Sequence, residues 1–88
     1  MSAKQYKKSE IVQAIQFLNT EADHIQDIID FVGLPISLDF TFEGVRLRVI
    51  RGAYDVIVAP LNNYIIKHSG GTLETCTPEE FDYEEVTV

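Results

Sequence analysis

The sequence predicts a single α+β domain over residues 1–88, in which one helix packs across a small, strongly bent antiparallel β-sheet or partly open barrel. Three observations support this fold class. Apolar residues recur at helical spacing in residues 21–32, apolar and polar residues alternate in residues 36–50, and turn residues divide the rest into short strands. Because the chain has 88 residues, of which 45% are hydrophobic, it has enough apolar surface for one core and too few residues for two.

The first apolar segment, SEIVQAIQFL at residues 9–18, fits two structures. Ser9 could cap a helix, and the apolar face of that helix would consist of Ile11, Ala14, Ile15 and Leu18. The same segment could form a strand that carries Ile11, Ile15 and Phe17 on one side. The local pattern does not separate these alternatives.

We expect a helix over residues 21–32. Thr20 and Asp23 resemble a capping box in which Asp replaces Glu, and Gly33 followed by Pro35 ends the helical pattern. The apolar face of this helix is expected to consist of Ile25, Ile28, Ile29 and Val32.

The outer face of the same helix carries three aspartates, which we call the acidic ridge: Asp23, Asp27 and Asp30. Their spacing of i, i+4 and i+7 places them close to one line along the helix. Acidic residues stabilise the first turn, whereas Asp30 near the C-terminus opposes the helix dipole without an evident structural reason. The ridge is therefore a candidate contact surface for a partner, and the alternative is an ordinary solvated helix face.

Residues 36–50, ISLDFTFEGVRLRVI, predict a β-hairpin with Glu43 and Gly44 as its two-residue turn. The apolar pairs on one face would then be Phe42 with Val45, Phe40 with Leu47, and Leu38 with Val49. The polar pairs on the other face would be Thr41 with Arg46 and Asp39 with Arg48. Matched apolar pairs and an opposite-charge pair support this register.

The remaining segments predict short strands. Residues 53–60 form one that ends at Pro60, and residues 63–67 and 72–76 flank a second hairpin. A two-residue turn would place Lys67 opposite Glu74, and a four-residue turn would place it opposite Thr72; the sequence does not choose between them. Residues 78–80 predict one turn of helix, because proline and acidic residues suit a helix start. Residues 81–88 predict the last strand.

The formal net charge of −7 argues against binding to nucleic acids or anionic membranes and favours a basic protein partner. The basic segment 1–8 and the acidic C-terminus either lie close together or form flexible, solvated tails. Within that C-terminus, Glu84 and Glu85 are a second candidate contact surface for a partner. No apolar run is long enough to cross a membrane, and residues 1–30 contain no signal peptide, so we expect a soluble, intracellular protein.

Three arginines form the candidate site for a small ligand: Arg46, Arg48 and Arg51. Guanidinium groups on one strand could bind a phosphate or carboxylate, for example that of a nucleotide. The alternative is that Asp39 neutralises Arg48 across the hairpin and that the other arginines are ordinary surface residues.

Nothing in the sequence predicts catalysis, a cofactor or a metal centre. Cys76 lacks a nearby base and has acidic neighbours that disfavour a thiolate, so we interpret it as a small buried hydrophobic residue. His24 with Asp23 and Asp27 lacks a fourth metal ligand, and we expect both His24 and His68 on the surface. The chain also lacks the common nucleotide-binding and hydrolase motifs.

The C-terminal third resembles a family of small proteins encoded by bacteriophages and prophages. Their shared ending reads approximately G-D-Y-I-I-K-G, then G-E-x-Y-x-C-x-P-x-x-F. This chain matches it at Tyr64, Ile65, Ile66, Lys67, Gly71, Cys76, Pro78 and Phe81. The family's beginning, two lysines followed by a strand that ends in A-I-Q-F or A-I-Q-W, matches Lys7, Lys8, Ala14, Ile15, Gln16 and Phe17.

This chain departs from the family pattern at three places: Asn62-Asn63 replace Gly-Asp, no aromatic residue precedes the cysteine, and the hairpin over residues 36–51 is longer than expected in the family. The resemblance implies that residues 11–17 form a strand. It also implies that the C-terminal motif is a structural signature of the fold, with Cys76 packed inside.

From this context we expect a small, non-enzymatic phage or prophage protein that binds a host protein in the bacterial cytoplasm and inhibits or modulates it, for example in counter-defence. The alternatives are a small-ligand or nucleotide-binding protein and a minor component of the virion or of its assembly. A homodimer through the free edges of so small a sheet is a further alternative.

Overall fold

A computed structural model describes residues 3–7 and 11–85, with the backbone alone for residues 4–7 and 84–85. Within these residues the chain forms one helix and eight strands. Their bounds, in chain order, are β1 Lys4–Lys7, β2 Ile11–Gln16, α1 Ala22–Val32, β3 Ile36–Thr41, β4 Gly44–Gly52, β5 Asp55–Pro60, β6 Tyr64–Lys67, β7 Leu73–Cys76 and β8 Glu84–Glu85.

The strands form two antiparallel sheets, one with the order β7-β6-β2-β1-β8 and one with the order β3-β4-β5. The predicted α+β class is confirmed, and the sheets of the described residues do not close into a barrel. Strands β5 and β7 contact each other without a hydrogen-bonded ladder, so the bend lies between them. The basic and acidic ends of the chain lie side by side, because β1 pairs with β8.

The main core lies between the helix and the two sheets. Helix α1 contributes Ile28, Phe31 and Val32, which pack against buried residues of both sheets. Those sheet residues are Ile15, Phe17, Leu47, Val49, Ile57, Ala59, Ile65 and Leu73. Burial of such side chains stabilises the fold by about 1.5–3 kcal/mol for each large one.

A second cluster covers the opposite face of β2 and β6. Its fully buried residues are Val12, Ala14 and Ile66. The segment that follows β7 folds over them, and the residues packed there are Tyr64, Cys76, Phe81 and Tyr83. The end of β2, at Ala14 and Ile15, is therefore buried on both faces, whereas Ile11 and Gln13 are exposed. The structure confirms a strand rather than a helix in this segment, and burial on both faces explains why apolar residues are adjacent at its end.

The helix begins one residue later than expected, at Ala22, and the predicted capping box of Thr20 and Asp23 is wrong. Its N-cap is Glu21, which makes no side-chain cap hydrogen bond, and the Glu21 amide donates to Asn19 Oδ1 at 3.0 Å. The helix end is confirmed: Gly33 adopts φ 69° and donates its amide to the Ile29 carbonyl at 2.9 Å. A left-handed residue there suits glycine.

The apolar face of α1 differs from the predicted one. Ile29 is 38% exposed, whereas His24 and Phe31 are buried together with Ile28 and Val32. Positions 24, 28 and 31 are spaced i, i+4 and i+7, so they form one continuous stripe on the helix. The prediction that His24 lies on the surface is therefore wrong.

The β3–β4 hairpin turns at Phe42 and Glu43, not at Glu43 and Gly44, so the predicted register is wrong by two residues. Gly44 begins β4 with φ 133°, a conformation that L side chains disfavour, and the Thr41 hydroxyl donates to its carbonyl at 2.7 Å. Phe42 consequently lies in the turn instead of facing Val45. Asp39 lies opposite Arg46, and Ser37 lies opposite Arg48.

The second hairpin adopts neither of the two expected turns. Lys67 pairs with Leu73, and Ser69, Gly70 and Gly71 form a three-residue loop. The His68 amide donates to the Thr72 carbonyl at 2.9 Å, and Gly71 has φ 89°. A left-handed glycine at the last loop position is typical of three-residue hairpin loops.

Residues 78–80 form a hydrogen-bonded turn and not the expected turn of helix, and Thr77 and Glu80 make the reciprocal contacts of a capping box there. The Thr77 amide donates to Glu80 Oε1 at 3.1 Å, and the Glu80 amide donates to Thr77 Oγ1 at 3.2 Å. This reciprocal pair fixes the direction in which the chain leaves β7. As a result, Phe81 stacks on Tyr64 with ring centroids 3.8 Å apart.

Candidate functional site

The acidic ridge lies on the outward face of α1. Asp23 and Asp30 are exposed and Asp27 is half-buried. Gln26 donates from Nε2 to Asp30 Oδ1 at 2.9 Å, which orders one end of the ridge. The helix itself contains no lysine or arginine, so the charged side chains on its outer face are all acidic.

A lysine from another element stabilises the C-terminal end of α1, where Asp30 is unfavourable. Lys67 of β6 donates from Nζ to the Phe31 carbonyl and lies 4.7 Å from the centroid of the Phe31 ring. A cation at this end of a helix interacts favourably with the unpaired carbonyl groups. The ridge can therefore extend to the last turn because β6 supplies the positive charge that α1 lacks.

The two C-terminal acids lie on a different element from the ridge. Glu84 pairs with Lys7 and Glu85 pairs with Tyr6 through the backbone ladder of β8 and β1. Strand β8 is the outer strand of the five-stranded sheet among the described residues. The structure thus places these two acids beside the basic N-terminal segment, and it gives the acidic ridge a separate location on α1.

The three arginines of β4 do not form one site. Arg46 donates to Asp39 Oδ2 at 3.4 Å, and Arg51 donates to Asp55 Oδ1 at 2.7 Å. Arg48 shares the outer face of the sheet with Arg46 but lies opposite Ser37, so the predicted pair of Asp39 with Arg48 is wrong. Two of the three guanidinium groups are therefore already neutralised by carboxylates.

The end of the β3–β4 hairpin exposes large apolar side chains, which we call the hairpin tip: Phe40, Phe42 and Leu61. Phe40 is 73% exposed and Phe42 is 106% exposed, relative to a free side chain. Leu61 follows β5 and continues this end of the sheet beside Val45. Leu38 and Val45 on the same side of the hairpin pack against the core, whereas Phe40 lies beyond the part of the sheet that the described residues cover.

An open groove of about 420 Å³ adjoins the hairpin tip. It is lined by Thr41, Glu43, Gly44, Val45, Arg46, Pro60 and Leu61. Arg46 is the only one of the three candidate arginines among these lining residues. The lining combines apolar residues with one acid, Glu43, and one cation, Arg46, which suits a protein side chain better than a small anion.

Cys76 and the two histidines have structural surroundings. Burial raises the pKa of the Cys76 thiol, and the neighbouring carboxylates of Glu74 and Glu80 raise it further, so the nucleophilic thiolate is disfavoured. His24 accepts a hydrogen bond from the Leu18 amide at its Nε2, 3.0 Å away, and His68 Nε2 lies 3.0 Å from Glu74 Oε1. These contacts connect elements of the fold.

No group of three or more histidine, cysteine, aspartate or glutamate side chains in the described part of the chain could hold a metal ion. Likewise, none of the helices formed by the described residues is long and apolar enough to cross a membrane.

Comparison with models of protein families, with curated proteins and with solved structures gives no match. The resemblance to phage and prophage proteins therefore stays a prediction. The residues that carry it have clear structural roles in this chain: Tyr64 and Phe81 stack, and Cys76 packs beside them in the second cluster.

Sequence reasoning missed the hairpin tip and the role of Lys67. The tip was missed because the predicted register placed Phe40 and Phe42 in cross-strand apolar pairs. Gly44 does not separate the two turns, because glycine suits the first position after a turn as well as a position inside it. Nothing local to β6 indicates that Lys67 reaches the end of α1, since 36 residues separate Lys67 from Phe31.

Proposed function

We propose that this chain is a small phage- or prophage-encoded protein that binds a host protein in the bacterial cytoplasm and inhibits or modulates it without catalysis. Counter-defence is one setting for such an activity. The observation that carries the proposal is the hairpin tip, where the side chains of Phe40 and Phe42 are largely exposed to solvent. Exposed aromatic side chains grouped in this way are typical of protein interaction sites.

The energetics support a protein as the partner. Burial of one phenylalanine side chain contributes about 1.5–3 kcal/mol, and aromatic anchors dominate many interfaces. Phe42 sits in the turn and is free of the core, so a partner can enclose it on all sides. The adjoining groove offers space for a side chain of that partner, with Arg46 at its wall to bind an acceptor.

The acidic ridge would act at longer range. A net charge of −7 attracts a basic partner and raises the association rate, an effect that weakens as salt increases. Asp23 and Asp30 are the exposed ends of the ridge and face solvent on α1. We expect the tip to determine how long the complex lasts and the ridge to determine how fast it forms.

The test is affinity capture of the tagged protein from a bacterial host lysate, compared across variants. Phe42→Ser should abolish retention of a specific host protein. Tyr54→Ser removes an equally exposed aromatic side chain from the β4–β5 turn and is the matched control, which should retain it. Capture that survives Phe42→Ser would show that the tip is not the contact surface.

Charge reversal tests the ridge separately. Asp23→Lys with Asp30→Lys should slow association with the captured protein and reduce its salt dependence, without changing the dissociation rate. Equal association rates for this variant and the wild type would exclude the ridge from partner recognition.

The groove also supports a second candidate function, the binding of a small anionic ligand such as a nucleotide. Arg46 lines the groove, but its guanidinium is shared with Asp39, so the expected affinity is low. Nucleotides should raise the melting temperature of the wild type and not that of Arg46→Ala, with Arg48→Ala as the control outside the groove. Absence of any shift at millimolar nucleotide would exclude this function.

A further inference from the structure

The outer strand of the three-stranded sheet, β3, has a hydrogen-bonding edge to which no described residue pairs. The Ile50 amide donates to the Pro35 carbonyl at 2.9 Å, so the odd-numbered residues of β3 are the ones that bond to β4. Alternate residues of a strand point their N–H and C=O groups in opposite directions. Those of Ile36, Leu38 and Phe40 therefore point away from β4.

This edge carries one charged side chain, Asp39, and otherwise lacks the features that usually prevent strands from pairing. Between Ile36 and Thr41 there is no lysine, no proline and no irregularity in the register with β4. Proteins commonly protect an outer strand with such features, and a regular edge that lacks most of them pairs readily with another strand. The exposure of Phe40, whose backbone faces this edge, adds apolar surface that pairing would cover.

We propose that β3 pairs with β3 of a second copy of this chain, antiparallel across a two-fold axis, to give a continuous six-stranded sheet. The residues permit one register in particular. With the axis at Leu38, Ile36 lies opposite Phe40 of the second copy and Ser37 lies opposite its Asp39. Every facing pair is then apolar, or combines a hydroxyl with a carboxylate, and three hydrogen-bonded residue pairs supply about six hydrogen bonds.

Moving the two-fold axis by one residue in either direction gives less favourable facing pairs. An axis at Asp39 would place that carboxylate directly opposite its own copy, which is destabilising. An axis at Ser37 would place Phe40 opposite Leu34 of the second copy. Leu34 precedes β3, so Phe40 would lie beyond the paired strands and stay uncovered. The side chains themselves therefore select the register centred on Leu38.

The charges on the outer face of the sheet also favour a second copy as the partner. Arg48 has Ser37 and Val58 as its cross-strand neighbours, and it makes no ion pair with any described residue. In the proposed dimer, Asp39 of the second copy lies about 10 Å from Arg48 between backbones, or two strand spacings. An extended arginine side chain can cross that distance.

Repulsion between two acidic chains is reduced at this edge. The three arginines of the chain all lie in β4, next to β3, whereas β3 itself carries the single acid Asp39. Arg46 and Arg51 already pair with carboxylates of their own chain, so Arg48 is the positive charge that a second copy would meet. This arrangement makes the edge self-complementary in hydrogen bonding, apolar contact and charge.

Ser37→Glu tests the proposal in the purified protein, independently of any host partner. In one chain the introduced carboxylate would face Arg48 and form a favourable cross-strand pair, so the fold should keep or gain stability. In the dimer the same carboxylate would face Asp39 of the second copy at two symmetric positions. By sedimentation equilibrium or light scattering, the wild type should pass from a 10.0 kDa monomer to a dimer as concentration rises. Ser37→Glu should dissociate at least about tenfold more readily.

The double variant Ser37→Glu with Asp39→Ser exchanges the two residue types and should restore dimerisation, because the introduced glutamate would then face a serine. Tyr54→Ser removes an exposed aromatic side chain from the β4–β5 turn, outside β3, and should dimerise like the wild type. A wild type that stays monomeric at millimolar concentration would overturn the proposal. So would a dimer that Ser37→Glu leaves unchanged, or one that the double variant fails to restore.

Amide hydrogen exchange locates the interface directly. The amides of Ile36, Leu38 and Phe40 should exchange faster in dilute protein than in concentrated protein, while those of Ser37 and Asp39 should be protected at both concentrations. Equal exchange of the even-numbered amides at all concentrations would contradict pairing at this edge.

Discussion

Lys67 should contribute more to the stability of the domain than any exposed charge, because its ammonium group contacts both the end of α1 and an aromatic ring. Lys67→Met keeps the apolar stem and removes the charge. The wild-type ammonium donates to the Phe31 carbonyl and lies 4.7 Å from the ring centroid. A hydrogen bond to a charged group is worth about 1.5–3 kcal/mol, the helix terminus about 0.3–1 kcal/mol, and a cation over a ring about 0.5–1 kcal/mol.

These three contributions belong to one group and overlap, so we expect Lys67→Met to lower the free energy of unfolding by about 2 kcal/mol. In a domain of this size that loss lowers the melting temperature by roughly 8–16 °C. Urea denaturation followed by circular dichroism measures the free energy of unfolding, and a thermal scan measures the melting temperature. Lys67→Arg, which keeps the charge, should recover part of the loss.

Arg48→Met is the matched control, because it removes the same formal charge from an exposed residue that has no ion pair among the described residues. Its effect should stay within about 0.5 kcal/mol. If Lys67→Met and Arg48→Met destabilise the domain equally, the ammonium of Lys67 is not bound to α1 and the account of the helix end is wrong.

Three further outcomes follow from the core and the turns. His24→Leu removes the acceptor of the buried Leu18 amide and should cost about 1–3 kcal/mol by urea denaturation, with partial recovery in His24→Gln; full stability of the leucine variant would contradict this. Asn62 has φ 77°, so Asn62→Ala should lower stability by about 1 kcal/mol while Asn62→Gly matches the wild type in thermal scans. The raised pKa of Cys76 means that the unfolded thiol ionises first, so this group lowers stability only as pH rises above about 8.5. Alkylation at pH 8 should be slower than for a free thiol and faster in Glu74→Gln than in the wild type; equal rates would exclude the carboxylate effect.

The errors in the predicted hairpin have a definite physical origin. Moving one strand by two residues keeps every side chain on its original face, so the alternation that predicts the strands says nothing about that shift. Both registers place Leu38 and Phe40 opposite apolar residues and Asp39 opposite an arginine. The turn decides between them, and the observed turn at Phe42 and Glu43 leaves Gly44, with φ 133°, as the first residue of β4.

For the helix, too, local sequence predicts only part of the structure. The pattern of residues 21–32 predicts its existence and its end at Gly33, which are local properties. Which face is buried depends on what the sheets present, and here they accept His24 because the Leu18 amide needs an acceptor. A buried histidine that satisfies a loop amide depends on contacts between elements, which no helical periodicity encodes.

The two candidate contact surfaces differ in the same respect, because one depends on local sequence and the other on contacts between elements. The acidic ridge follows from spacing on one helix, where Asp23 and Asp30 are exposed and Asp27 is half-buried. The hairpin tip depends on how far the β3–β4 hairpin extends beyond the core, which is set by the register and by the position of α1. Local sequence could therefore predict where the charge lies and not where the uncovered apolar surface lies.

The two proposals together restrict the geometry of a host partner. If β3 pairs about an axis at Leu38, the two copies of Phe42 lie four residues to either side of that axis. At about 3.3 Å per residue they are roughly 26 Å apart along the strands, on opposite sides of the joined edge. A partner that engages both tips must therefore present two sites at that separation, as a symmetric dimer can. For such a partner, Ser37→Glu would weaken binding although it leaves both tips intact, because two linked contacts would become single ones. A partner with one site would bind Ser37→Glu and the wild type equally well, so this one variant also measures how many copies act together.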